Sequence, residues 1–242
     1  MQRCLVRSEP SRCFVSPQHR SEPDNSSPMG NNGEKLFTRR MEAPVVFIEF
    51  NGKKPKVSEK AFVAPGATLI GDVEVAEEAS IWFGARLRGD IGKITVGART
   101  SIQDNVVVHV YGGGRTEIGE DVTVAHGAVL HNCTVRRGAL VGMNAVVLDN
   151  AVIGEQAVVA AGSVVSEGME VPPRHLAAGV PARVKKELSG DFLALRELGA
   201  KGYVELAKTY RQQGIGRPET DGGRKAAEGK EGKEGKEGKE DG

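Results

Sequence analysis

VRRGALVGMNAVVLDNAVIGEQAVVAAGSVVSEGMEV, residues 135–171, places an apolar residue at every sixth position: Val135, Val141, Val147, Ile153, Val159, Val165 and Val171. Four places after each of the first five stands a small residue, Ala139, Ala145, Ala151, Ala157 and Ser163. An amphipathic helix repeats at three and four, and a half-buried strand repeats at two. A sustained period of six fits neither. It fits a coil in which each hexad supplies one short strand and one corner, with its first residue pointing into a shared core. Three hexads close one triangular turn, and turns stack at the inter-strand spacing of about 4.8 Å.

The count extends backwards. Ile118, Val124 and Leu130 precede a slip of one residue; Val96, Ile102 and Val108 precede YGGGRTE; Val57, Val63, Leu69, Val75, Ile81 and Leu87 come first. The extra residues in GDIGKIT and around GGGR read as corner loops. This predicts an all-β parallel β-helix over residues 41–184, entered through a leading strand and turn in VVFIEFNGKKP. After Val184 the spacing changes. Leu188, Phe192, Leu195, Gly199, Tyr203, Leu206 and Tyr210 recur at three and four, which predicts a helix over 185–213 that buries this stripe. Gly199 and Gly202 are placed to break it in two. Such a helix would lie along the outside of the coil, covering a face or joining a neighbour.

Composition sets limits. Lys and Arg number 33 against 32 acidic residues, so no global basic excess points to nucleic acid. No run of about 18 apolar residues is present, so no membrane helix is expected. Cys4 and Cys13 lie in polar sequence and only Cys133 lies in the patterned region, where it reads as buried filler or a redox-sensitive neighbour of the site. That is no disulfide framework, and a cytoplasmic location fits. Residues 1–40 are rich in Ser, Arg and Pro without apolar periodicity, and read as a disordered leader ahead of Met41. Organellar import is the alternative, against which Glu9, Glu22, Asp24 and Glu34 count. Residues 214–242, ending GKEGKEGKEGKEDG, read as a disordered charged tail.

Three of the five histidines, His109, His126 and His131, fall within 23 residues. Labelling the faces A, B and C from Val57 places Val108 and Leu130 on face C. His109 and His131 each follow that apolar residue, so both point outward, one coil apart and about 4.8 Å along the column. Two nitrogens at about 2.0–2.1 Å from one tetrahedral zinc can be supplied by such a stack. His126 is the third residue of a face-B hexad, beyond a corner, and can reach only a metal held by another copy. A homotrimer with metal between subunits follows, and three His with one open position is the pattern of a catalytic zinc. Arg88 and Asp90 lie on face C one coil before His109. Gln103 and Asp104 lie on face B one coil before His126. Arg88 and Asp104 read as an ion pair between subunits, and Gln103 as a hydrogen-bonding partner for a bound water or substrate oxygen. His19 and His175 have no evident partners.

These residues resemble the γ-class carbonic anhydrases over about residues 45–212. The resemblance rests on the hexads, Arg88-Gly89-Asp90, Gln103-Asp104-Asn105, His109 and AHGAVLHNC at 125–133. It implies a left-handed coil, three zinc or iron(II) sites between subunits, and reversible hydration of CO2 to bicarbonate by metal-bound hydroxide. The chain departs from the archetype in two places. Ile91 stands where a Glu is usual, and the short Tyr111–Gly114 loop replaces an acidic one. In short-loop relatives a helix Tyr approaches the metal, and Tyr203 matches it, with packing on the helix face as its other reading. The catalytic set is therefore Gln103, Tyr203, Arg88 and Asp90, around the ligands His109, His126 and His131. Hydrolysis of CoA thioesters, acyl transfer on the same fold, or a weakly catalytic metal-binding scaffold are the rival functions.

Overall fold

The computed structural model describes residues 45–216; the leader, and the tail beyond residue 216, lie outside them. The chain winds as a parallel β-helix with one C-terminal helix. Face B stacks Phe62–Val63, Ser80–Ile81, Ser101–Ile102, Thr123–Val124, Leu140–Val141 and Val158–Val159 in parallel register. Face C pairs Leu69 with Leu87, Leu87 with Val108, Val108 with Leu130, Leu130 with Val147 and Val147 with Val165. Face A runs from Val57 through Val75, Val96, Ile118, Val135 and Ile153 to Val171. Every hexad residue counted in the sequence thus sits on the face assigned to it. Leu69, Leu87, Val108, Leu130, Val141 and Val147 are fully buried. Each such side chain contributes about 1.5–3 kcal/mol on leaving water.

One corner differs from its expectation. GDIGKIT is no loop: Arg86–Val96 is one strand. Its pairing with Thr68–Val75 jumps from Gly71–Gly89 to Val73–Ile94, which absorbs the extra residues. The stretch stays extended because its second half also pairs with Arg115–Ile118 on the other side.

Past the last coil, His175–Gly179 and Ala182–Glu187 form an antiparallel pair that closes the stack. Helix α1 follows at Gly190–Gln212, capped by Ser189, whose side chain accepts from the Phe192 N–H. Residues 185–187, which the sequence spacing assigned to the helix, therefore belong to this last strand. The helix is also unbroken. Gly199 and Gly202 cost about 1 kcal/mol each relative to Ala, but packing of Tyr203, Ala207 and Tyr210 on Phe62, Ala64 and Trp82 holds the turns together. Arg211 adds hydrogen bonds to the carbonyls of Glu59 and Lys60.

The buried stripe of α1 is shifted from the one read in sequence. Phe192, Leu195 and Leu206 are exposed, Leu195 by 68%. Face B is already crowded here by the rings of Phe62 and Trp82, 5.0 Å apart. The small Ala207 fits against them, and the larger leucines stay outside. Among the described residues no helix is long and apolar enough to cross a membrane.

Candidate metal centre

His131 lies directly opposite His109 across parallel strands Val129–His131 and Val107–His109. Because Leu130 and Val108 are fully buried, both imidazoles leave the core on the same side. Their ring centroids are 5.2 Å apart, tilted by 47°. The in-register neighbours Val107 and Val129 place an apolar strip beside them, continued by Val146 and Val164.

The polar residues of face C assemble under this pair. Leu87 is in register with Val108, so Arg88 stands one coil before His109. Arg88 Nη1 donates to Asp90 Oδ2 at 2.6 Å, and Asp90 Oδ1 lies 3.1 Å from His109 Nε2. Burial alone would raise the Asp90 carboxyl, but hydrogen bonds from Arg88 and His109 hold it below its ordinary value.

His126 is carried by the corner between faces B and C. The next residue, Gly127, has φ +70°, and a Cβ there would crowd Asn144 Oδ1, so glycine is favoured at this corner. His126 Nδ1 lies 2.8 Å from Asp104 Oδ2. Gln103 is buried, and its Oε1 accepts the His126 backbone N–H at 3.3 Å. The Tyr203 hydroxyl approaches His126 Nε2 at 3.5 Å while its ring packs edge-on against Trp82 at 5.6 Å. The ring thus packs between the helix and face B, as one sequence reading had it, with its hydroxyl beside His126. Burial, then the nearby Asp104 charge, makes its phenol harder to ionise than usual.

One chain thus brings His109 and His131 together and holds His126 apart, with Asp104, Gln103 and Tyr203. Within a single chain, Arg88 is engaged by Asp90 and Asp104 by His126. The sequence reading missed Asp149, whose Oδ1 takes a hydrogen bond from His131 Nδ1. The available signal was its place eighteen residues after His131, one coil on.

The donor set suits a metal. His126 and His131 each give Nδ1 to a carboxylate, which leaves the lone pair on Nε2, the arrangement typical of metal-ligating histidines, with the Tyr203 hydroxyl 3.5 Å from Nε2 of His126. Cys133 is not a comparable donor. Burial pushes its thiol up to about 12, and it packs as core filler. His175 donates to the Pro173 carbonyl at 2.7 Å, and His19 lies outside the described residues.

Sequence and structure comparisons agree with the repeat architecture. The family model for bacterial transferase hexapeptide (six repeats) matches residues 132–167. A carbonic anhydrase of Geobacillus kaustophilus is 41% identical over 162 residues, covering 67% of this chain and 89% of that protein. The chain belongs to the γ-class carbonic anhydrase family. Within this family, the mitochondrial γ carbonic anhydrase 2 of Arabidopsis thaliana is 42% identical over 167 residues. That match covers 66% of this chain, and the chain spans only 60% of the Arabidopsis protein's length. The crystal structure of a hexapeptide transferase family protein from Anaplasma phagocytophilum superposes with a TM-score of 0.66 at 41% identity, covering 68% of this chain and 98% of that one. The family's coil architecture is therefore common to carbonic anhydrases and transferases.

The loop next to the site is tight. Gly113 N–H donates to the Ile91 carbonyl at 2.9 Å, and Ile91 and Tyr111 present exposed apolar surface. No carboxylate occupies either place.

Proposed function

We propose that the chain interconverts CO2 and bicarbonate as a homotrimer, with a divalent metal, zinc or iron(II), held between subunits by His109 and His131 of one chain and His126 of the next. The observation that carries this reading is the in-register His109–His131 pair, with His126 displaced around a corner and similarly carboxylate-oriented. When bound, the metal supplies the Lewis acidity that makes water nucleophilic near neutral pH.

The chain's own residues do the rest. Asp104 and Gln103 fix the ring and backbone of His126. The Tyr203 hydroxyl, neutral at working pH, hydrogen-bonds an oxygen of the reacting carbonate group. Arg88 and Asp90 brace His109. Arg88 is 48% exposed beyond its pair with Asp90, so its guanidinium retains donors to reach Asp104 of a neighbouring chain. The apolar strip Val107, Val129, Val146 and Val164 supplies dry contact for the subunit, as a flat face next to a shared site requires.

Thioester hydrolysis by the same centre is the second reading. It is favoured by Ile91 and the Gly112–Gly114 loop, which leave the site without an acidic proton relay and with an apolar rim. Metal analysis of anaerobically purified protein, then parallel assays of CO2 hydration and acyl-CoA hydrolysis, separates the two. Cytoplasmic residence is the location proposed. The mitochondrial name of the Arabidopsis relative favours the organellar alternative, and a fluorescent fusion with and without residues 1–40 decides between them.

A further inference from the structure

We propose that Asp149 is the residue that fixes the ligand atom of His131, a positioning role that rests on the metal-site reading above. A neutral imidazole carries one N–H, and which nitrogen bears it is set by the hydrogen bond the ring makes. Here the Nδ1 side faces the Asp149 carboxylate. A carboxylate can only accept, so the proton sits on Nδ1 and the lone pair on Nε2. Without that acceptor, nothing in the contacts of His131 distinguishes the two tautomers.

Asp149 is built to hold this position. It follows Leu148 at the corner after the buried Val147, whose strand pairs on both sides with Leu130 and Val165. Its carbonyl accepts the Gly168 N–H at 2.9 Å, and the next residue, Asn150, donates its N–H to the Asn132 carbonyl at 2.8 Å. The backbone is thus pinned to the coils before and after it. Among the described residues its one ion-pair partner is His131, so no Lys or Arg accounts for the carboxylate. The side chains are about one-third exposed, 32% for His131 and 34% for Asp149, so the pair lies at the surface where a metal can be approached.

The device is repeated with a different partner. Asp104, one coil before His126, meets His126 Nδ1 in the same way. His109 differs, since Asp90 meets its Nε2. Two of the three rings are therefore set with the lone pair on Nε2 by an Asp from the adjacent coil. Carboxylate partners of ligating histidines typically account for 10–100-fold in metal affinity.

The test uses the full chain and two substitutions, Asp149→Ala and Asp149→Asn. Imidazole 15N shifts of His131 are recorded in metal-free protein, and Zn2+ and Co2+ affinities are measured by chelator competition. In the unaltered chain His131 should be the Nδ1–H tautomer. Asp149→Ala should shift it towards the other tautomer and weaken metal binding roughly 10–100-fold, with coil stability and oligomeric state unchanged. Asp149→Asn, whose side-chain oxygen can still accept, should keep the tautomer and lose less affinity. An unchanged tautomer and unchanged affinity in Asp149→Ala would overturn the role of Asp149 alone. A tautomer change in a chain that binds no metal before or after substitution would overturn the metal reading of the site instead.

Discussion

His109 and His131 stand opposite one another in adjacent coils, ring centroids 5.2 Å apart, while His126 is carried by a different face of the same prism. On the proposed reading, no single chain completes the metal site. His109→Ala and His126→Ala homotrimers should each lose metal. Mixed and allowed to exchange subunits, they should regain it, because some mixed trimers contain one contact with all three rings. Metal content of the mixture, with exchange verified by mass-tagged subunits, checks this. Full exchange with no recovered metal would mean that the three rings belong to separate functions.

Gly127 sets the corner that carries His126. Gly127→Ala crowds a Cβ against Asn144 Oδ1 and forces an L side chain into positive φ. The backbone component alone costs about 1–2 kcal/mol. The substituted protein should melt several degrees lower and bind metal more weakly. Adding Asn144→Ala should restore the part due to the clash and leave the part due to φ. Equal melting temperatures for the wild type and the single variant would show that the corner relaxes without cost.

The hexads made the coil legible before any coordinates, because the period of six fixes both which side chains enter the core and which face each occupies. His109 over His131 followed directly from that count. What the count could not resolve lies where side-chain direction is not periodic. Asp149 sits at a corner, and a corner residue's reach depends on the local backbone, so its bond to His131 was not visible. Helix α1 shows the other gap. The spacing Phe192, Leu195, Gly199, Tyr203, Leu206 and Tyr210 looks like a buried stripe, yet against the aromatic floor of Phe62 and Trp82 only Tyr203 and Tyr210 of these pack, joined by Ala207, while Phe192, Leu195 and Leu206 stay exposed. Periodicity reports an apolar face; the shape of the receiving surface decides which face is used.

Acid should loosen the corner between faces A and B. Asp121 accepts from Arg99 Nε at 2.6 Å and Arg137 Nε at 3.2 Å. The hydrogen bond from Arg99, more than the charge of Arg137, holds its carboxyl below the ordinary value. A depressed carboxylate contributes stability above its unfolded pKa of about 3.9 and loses it as pH falls through the lower folded value. Asp121→Asn should therefore lower the urea midpoint at pH 7, and the difference between the two proteins should shrink progressively as pH falls below about 3.9. A constant difference across that range would assign the effect to packing rather than charge.

The proton path gives the last prediction. Ile91 and the Gly112–Gly114 loop occupy the places where the family archetype has acidic residues, so the archetype's proton relay has no counterpart at those positions, and Asp90, Asp104 and Asp149 are each engaged by a histidine. Proton export should then limit turnover, and a small buffer such as imidazole should carry it directly. kcat should climb with buffer concentration and saturate, while kcat/KM for CO2 stays nearly flat, because that constant ends before the proton leaves. Tyr203 acts elsewhere. Its hydroxyl is 3.5 Å from His126 Nε2; if it donates to an oxygen in the chemical step as proposed, Tyr203→Phe should lower kcat/KM without altering the buffer dependence. Loss of one hydrogen bond of this kind predicts a fall of about tenfold, equivalent to about 1.4 kcal/mol. A fully metallated wild-type protein that hydrates no CO2 at any buffer concentration would end the carbonic anhydrase reading, and acyl-CoA hydrolysis by that same preparation would replace it.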